Sequence, residues 1–187
     1  MAMKLSDTLA EAFNKQVTAE LEASLVYLQL SYILDDLGLV GMRDWMKTQS
    51  AESLTHAQQF ADHMLDRDAT PQIGTINSPA LTVTNAIEAF EASLAHEQKI
   101  SGMIRDLAAT AQNESDFDSR PLLDTFLQEQ IEEESTVKEI LDRLRMVAND
   151  GSGLLRMDAA LGAREDSDDY FVPLYLIRSN PAYKRKH

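Results

Sequence analysis

The stretch ATPQIGTINSPALTVT, residues 69–84, lies between two long segments that have helical periodicity. It contains two prolines and one glycine, and most of its other residues are small, polar or β-branched, so it is not predicted to be helical. A connection of this length without secondary structure is uncommon inside a compact domain. It is expected where a chain crosses the length of a helical bundle, because the helices on either side then run parallel. This stretch therefore predicts a four-helix bundle with one long crossover between helices 2 and 3.

Four long helical segments surround this crossover. In the first, apolar residues recur mostly every four positions, which is typical of a core-facing helix: Leu5, Leu9, Phe13, Val17, Leu21, Leu25 and Leu28. Ser6, Asn85 and Ser119 are predicted N-caps, and Gly38 is a predicted helix end. The predicted helices span about residues 6–37, 39–68, 85–113 and 120–149, followed by a short fifth helix at about 153–164. The sequence thus predicts an all-α domain at residues 1–164 and a C-terminal extension at 165–187.

Composition limits the classes of partner. The formal net charge of −14 argues against nucleic acid, because phosphate binding needs clustered lysines and arginines. The chain has no cysteine, which excludes disulfides, thiolate metal sites and thiol catalysis. It shows no apolar run of signal-peptide or membrane-spanning character, so we expect a cytoplasmic protein without membrane contact. Cations are the expected partners of such an acidic chain.

Polar residues interrupt the apolar faces near the middle of each long helix. On a helical wheel Glu20 and Glu97 fall within the core-facing stripes, and Gln130 and Glu133 interrupt that of the fourth helix. A buried carboxylate is costly unless it is paired or bound to a metal. The alternative is that the apolar face of this helix is only slightly buried, so that the Glu20 carboxylate reaches water or an arginine.

The second helix carries the motif Glu52-Ser53-Leu54-Thr55-His56. Ser53 points into the middle of its apolar face, with His56 on the flank and Glu52 at the edge. Carboxylates, an imidazole and an amide together suit a hard to borderline cation, so iron or manganese fits better than zinc or copper.

The motifs ELEASLVY (20–27), AESLTH (51–56), LAHEQ (94–98) and LQEQIEE (127–133) resemble those of ferritins, particularly the non-haem bacterial kind, over about residues 5–164. The resemblance implies a first iron site at Glu20 and His56 and a second at Glu97 and Gln130. It places Tyr27 beside the centre, so the catalytic groups it implies are Glu20, Tyr27, His56, Glu97 and Gln130. A third iron position would involve four further carboxylates, which are Glu52, Glu129, Glu132 and Glu133. Two to three iron ions per subunit are therefore expected.

Haem is not expected. The run EQIEE lacks the Glu-x-x-His motif of bacterioferritins, and Leu54 stands where those proteins place the haem-ligating methionine.

Ser53 departs from the resembling family, in which this position is a glutamate that bridges two irons. A serine hydroxyl is neutral and cannot bridge as a carboxylate does. Glu52 is an alternative bridge if it turns inward.

Two functions remain open at this point. One is a ferroxidase that takes iron(II) and O₂ or peroxide and stores iron(III) in a hollow homo-oligomeric shell of 24 subunits. The other is a storage cage with a degraded centre that oxidises iron slowly and acts by transit and nucleation. The extension at 165–187 is expected to pack on the shell or to dock to a protein partner. A purely structural acidic adaptor would leave Glu20 and Glu97 unexplained.

Overall fold

A computed structural model describes residues 3–147 and 150–165 of the chain. This part of the chain is all-helical, as predicted, and contains the helices α1 (Asp7–Asp36), α2 (Val40–Asp66), α3 (Ala86–Asn113), α4 (Arg120–Met146) and α5 (Gly151–Glu165). From residue 166 onward the predicted C-terminal extension lies outside the described residues.

The four long helices form a bundle in which neighbouring helices run antiparallel. The start of α1 meets the end of α2, where the Leu5 amide donates to the Arg67 carbonyl at 3.1 Å. Between α3 and α4, Arg145 forms an ion pair with Glu91 of α3, and Gln130 donates to Glu97 of α3. Later residues of α4 thus meet earlier residues of α3, so these two helices are antiparallel. Since α1 is also antiparallel to α3, helices α2 and α3 are parallel. The predicted bundle with one long crossover is therefore confirmed.

The crossover follows the surface of α1. Three of its backbone amides donate to side chains that lie one turn apart on α1. These bonds run from Gln72 to Asn14, from Gly74 to Thr18 and from Asn77 to Glu22, at 2.7, 2.8 and 3.0 Å. The backbone amides of the crossover thus find their hydrogen-bond acceptors on a neighbouring helix. These bonds fix the path of a segment that has no regular secondary structure.

Most of the predicted helix ends are found. The Ser6 hydroxyl accepts from the Leu9 amide, and the Asn85 side chain accepts from the Glu88 amide. Gly38 follows α1 with a φ of 76°, a left-handed conformation that glycine adopts without strain.

Ser119 is the N-cap residue of α4, as predicted, but its side chain does not cap the helix. Its hydroxyl makes no capping bond and instead lies 2.9 Å from His63 Nε2 and 3.3 Å from Arg67 Nη1. Arg67 is buried and forms an ion pair with buried Asp116 at 2.7 Å. A buried guanidinium needs acceptors for its remaining donors, so this tertiary contact takes the hydroxyl away from the helix end.

Two apolar clusters stabilise the bundle, one towards each end. One is built around Tyr27, Met42 and Trp45, and the other around Phe13 and Phe60. Between them lies a polar layer that contains the buried residues Glu20, Ser53, Glu97 and Gln130. The core of the bundle is therefore interrupted at its middle by groups that water would otherwise solvate.

The predicted core stripe of α1 is wrong in its second half. Leu9, Phe13 and Val17 are buried, but Leu25 is 39% exposed. A step of four residues turns a helix about 40° beyond one full turn, so residues spaced by four rotate progressively off the core. The buried face continues instead through Glu20, Ala23, Tyr27, Leu30 and Leu34.

The short helix α5 packs against the start of α2. The Met42 amide donates to Asp158 Oδ1 at 2.8 Å, which satisfies a free donor of the first turn of α2. The backbones approach closely at Gly41 and Gly162, since a Cβ built on Gly162 would lie 3.0 Å from the Gly41 Cα. Leu161 joins the apolar cluster around Tyr27, with Leu154 and Met157 packed against it, whereas Leu155 is exposed.

We predict that Gly41→Ala disrupts the contact between α5 and α2. The added methyl group would lie 1.9 Å from the Asp158 carbonyl oxygen, so α5 has to shift at a cost of about 1–3 kcal/mol. The matched control is Gly102→Ala within α3, where an added Cβ meets nothing within 4 Å and helix propensity predicts a gain of about 0.5–1 kcal/mol. Thermal unfolding of both variants measures this difference, and equal midpoints would contradict the close contact.

Candidate metal centre

Side chains from all four long helices line one cavity in the polar layer. The cavity volume is about 10 Å³, close to the space that one water molecule needs. The polar residues of its wall are Glu20 from α1, four residues of α2 (Gln49, Glu52, Ser53 and His56), Glu97 from α3, and Gln130 and Glu133 from α4. Among the residues that the structure describes, none in the wall is a lysine or arginine. Several acidic groups thus meet at one buried position with His56 as the one basic side chain of the described wall.

Glu20 and His56 face each other across this cavity. Glu20 is 2% exposed, so the alternative in which it reaches bulk water is wrong. Its Oε2 atom lies 3.8 Å from His56 Nδ1, while its Oε1 atom accepts from Gln16 Nε2 at 2.8 Å. Burial by itself would lower the pKa of His56, but the carboxylates of Glu20, Glu129 and Glu52 outweigh it and raise the pKa above its ordinary value. His56 is therefore surrounded by negative charge.

Glu97 is held by two neighbours. The Tyr27 hydroxyl donates a short hydrogen bond to Glu97 Oε1, and Gln130 Nε2 donates to Oε2 at 3.1 Å. Burial raises the pKa of Glu97 despite these bonds, and burial together with the Glu97 charge raises the pKa of Tyr27 well above its usual range. Ser93 completes the network by donating to the Tyr27 hydroxyl oxygen at 3.1 Å. Hydrogen bonds thus join Tyr27, Glu97 and Gln130, which the sequence predicted to lie close together.

Ser53 lines the middle of the cavity and is buried. Its hydroxyl donates to the Gln49 carbonyl oxygen of its own helix at 2.9 Å, which is the usual partner of a serine inside a helix. Glu52, at the rim, accepts from Gln49 Nε2 at 2.6 Å. The hydroxyl at the central position is therefore directed at the helix backbone.

The remaining carboxylates of α4 occupy different environments. Glu129 Oε2 lies 3.9 Å from His56 Nε2, and burial raises the pKa of Glu129. Glu133 lines the cavity, where burial and then the charges of Glu52 and Glu97 raise its pKa to about 8. Glu132 is exposed and accepts from Gln128 Nε2 at 3.0 Å, away from the cavity wall. The structure thus brings Glu133 to the site, places Glu129 beside it and leaves Glu132 outside.

Within residues 3–147 and 150–165, no group of three or more histidine, aspartate or glutamate side chains converges closely enough to hold a metal ion as it stands. Glu20 and His56 form one close pair, and Glu97 is bonded to Tyr27 and Gln130 on the other side. Ser53 lies in the same wall and contributes no carboxylate. A metal ion beside Glu20 and His56, or one beside Glu97, therefore gains a third ligand only if a side chain moves.

Sequence reasoning missed the uncharged residues that contact these acids. Gln16 bonds Glu20, Gln49 bonds Glu52, and Ser101 accepts from Gln130 at 3.1 Å. Gln16 and Glu20 are four residues apart on one helix, a spacing that puts side chains in contact. That spacing alone could have indicated the first of these bonds.

Residues 10–147 match the ferritin family, described as a ferritin-like domain. The chain belongs to the ferritin family. A bacterial non-heme ferritin of Bacteroides fragilis is 31% identical over 160 residues, which cover 86% of this chain and 99% of the relative. A bacterial non-heme ferritin of Escherichia coli is 31% identical over 157 residues, which cover 84% of this chain and 95% of the relative. The predicted resemblance to the non-haem bacterial type is therefore confirmed.

Solved structures agree with this assignment. An open pore ferritin of the hyperthermophilic archaeon Archaeoglobus fulgidus superposes with a TM-score of 0.82 at 30% identity, covering 84% of this chain and 96% of that one. Family membership supports an iron-storage function. None of the described helices is both long and apolar enough to cross a membrane.

We predict that cation binding in the cavity releases the proton of Glu133. At a pH below its pKa of about 8 this carboxyl is mostly protonated, and a cation beside it favours the ionised form. Calorimetric titration of redox-inert zinc(II) in buffers of different ionisation enthalpy measures the proton count. We expect Glu133→Gln to release about one proton fewer per bound ion than the native chain.

The control for this titration is Glu132→Gln, because Glu132 is exposed on the same helix. This variant should release as many protons as the native chain. The same release from Glu133→Gln and the native chain would show that Glu133 keeps its proton or lies outside the cation site. Above the Glu133 pKa the difference between the two variants should disappear.

Proposed function

We propose that this chain is a subunit of an iron-storage shell, and that iron(II) is bound and oxidised within the bundle before iron(III) is deposited in the hollow interior. The observation that carries this proposal is the cavity between the four helices. Its wall combines Glu20, Glu52, Glu97 and Glu133 with His56, and none of the described residues that line it is a lysine or arginine. A divalent cation is the partner that such an arrangement lacks.

The electrostatics of the cavity support a cation as its occupant. Burial raises the pKa values of Glu97, Glu129 and Glu133, so ionising these groups together is unfavourable in the protein alone. A bound cation reverses this, because it stabilises the charged form of each carboxylate it contacts. Oxygen ligands with one imidazole favour iron or manganese, and family membership favours iron.

In the proposed reaction each iron(II) gives up one electron. The two electrons of a pair of ions, with two protons, reduce O₂ to hydrogen peroxide or hydrogen peroxide to water. Glu20 and His56 would bind the first ion, and Glu97 and Gln130 would bind the second. Tyr27 would orient Glu97 through its hydroxyl group. Glu52, Glu129, Glu132 and Glu133 would hold or pass on a third ion, with Glu132 on the exposed side.

A second candidate is a storage cage whose centre oxidises iron slowly. The specific observation in its favour is Ser53, whose hydroxyl donates to the helix backbone at the centre of the wall. Without a carboxylate there, the two ion positions have no shared anionic ligand, so both would bind more weakly. The remaining carboxylates would then serve in transit and nucleation.

Both candidates place the chain in a closed homo-oligomer, and we propose a shell of 24 subunits on the basis of family membership. The exposed apolar side chains of α1, Leu25 and Tyr32, are consistent with burial against other subunits. The C-terminal extension from residue 166 is proposed to pack on the shell or to dock to a protein partner.

If the centre is degraded, we predict that Ser53→Glu speeds the oxidation of the first few iron(II) ions per subunit several-fold. The new carboxylate would supply a shared ligand between the positions of Glu20 and Glu97. The matched control is Ser53→Ala, which should oxidise iron at the native rate because the native hydroxyl already donates to the Gln49 carbonyl. Stopped-flow absorbance under O₂ measures all three rates. A much slower Ser53→Ala variant would show that the hydroxyl itself takes part.

We predict that Glu52→Gln distinguishes the two candidates. If Glu52 acts as the bridge, the native chain and Ser53→Glu oxidise iron at similar rates, and Glu52→Gln loses most of the activity. If the centre is degraded, Glu52→Gln changes the slow native rate little. Iron(II) binding is measured in parallel under anaerobic conditions. Absence of binding in the bundle of the native chain would overturn both candidates.

A further inference from the structure

Gln16 is a fully buried amide directly beside the cavity. It lies on α1, one turn before Glu20, and is 1% exposed. Its Nε2 atom donates to Glu20 Oε1 at 2.8 Å. We propose that Gln16 is a positioning residue that fixes the Glu20 carboxylate for iron(II). This inference rests on the proposed function, since it assigns a role in the same site.

The orientation of the Gln16 amide follows from hydrogen-bond chemistry. An ionised carboxylate only accepts hydrogen bonds, so the NH₂ group has to face Glu20. The amide oxygen then points elsewhere, and in the described part of the chain it is buried without a hydrogen-bond partner. A buried acceptor left unpaired is destabilising, and such exceptions in folded proteins often mark a functional constraint.

Apolar residues lie around Gln16, so packing alone would favour an apolar side chain at this position. Its neighbours on α1, Phe13 and Val17, belong to the apolar cluster that contains Phe60. An apolar side chain of similar size would fill this position without an unpaired oxygen. The amide is therefore explained by its bond to Glu20 and not by packing.

The bond to Gln16 determines which oxygen of Glu20 is available to a cation. With Oε1 held, Oε2 remains, and it lies 3.8 Å from His56 Nδ1. That separation is too long for a hydrogen bond. It leaves room for a divalent ion that bonds each atom at about 2.1 Å. Gln16 thus keeps Glu20 turned towards the imidazole.

The test is anaerobic titration of the full-length chain with cobalt(II), whose visible absorption reports on its ligands. Gln16→Met keeps the volume of the side chain and removes the donor. We expect the affinity for the first cobalt(II) to fall by about 10-fold or more, because hydrogen-bond partners of metal ligands typically have effects of this size. The visible spectrum should also change, because Glu20 is then free to rotate.

The matched control is Leu9→Ala, which weakens the same apolar cluster about three turns before Glu20 on α1. It should leave the cobalt(II) affinity and spectrum as in the native chain. An equal loss in Leu9→Ala, or native binding by Gln16→Met, would overturn the role of Gln16. If Gln16→Met does not fold, Gln16→Asn replaces it. The asparagine side chain is one methylene shorter, so this variant should also bind cobalt(II) weakly. Native cobalt(II) affinity in Gln16→Asn would overturn the inference. A native chain that binds no cobalt(II) would instead overturn the proposed function.

Discussion

The burial of several carboxylates in the middle of a helical bundle is the constraint on which the rest of this structure depends. Two apolar clusters close the bundle above and below this layer, so its acids have little access to water. In the part of the chain that the structure describes, no lysine or arginine lines the cavity in return. Hydrogen bonds from uncharged groups, among them Gln16, Tyr27 and Gln130, therefore stabilise the layer in the absence of a cation.

Ser53 changes the balance between stability and binding in this layer. A glutamate there would add another charge to a wall in which Glu97 and Glu133 already have raised pKa values. The serine avoids that repulsion, and its hydroxyl is satisfied by the Gln49 carbonyl. A serine offers a cation no anionic ligand, so a layer that is easier to bury is also expected to bind a cation less tightly than one with a glutamate there.

The predictions that failed did so for identifiable physical reasons. Leu25 continues a four-residue spacing that rotates off the core because the helix has 3.6 residues per turn. Ser119 is the N-cap residue of α4, but the buried Arg67 takes its hydroxyl as an acceptor, so the side chain makes no capping bond. Gln16 was missed because its only signal is its spacing from Glu20 on the same helix. Only for Ser119 did a contact from the end of another helix decide the outcome.

The sequence by itself determined the all-helical fold, the long crossover and the inward positions of Glu20, Ser53, Glu97 and Gln130, because helical periodicity and helix-breaking residues are local properties. Only the tertiary structure decided how these groups pair. It showed that Glu20 faces His56 at 3.8 Å and that Tyr27 bonds Glu97. Those choices depend on distances between helices and on which buried donor finds which acceptor, and no spacing along one helix contains that information.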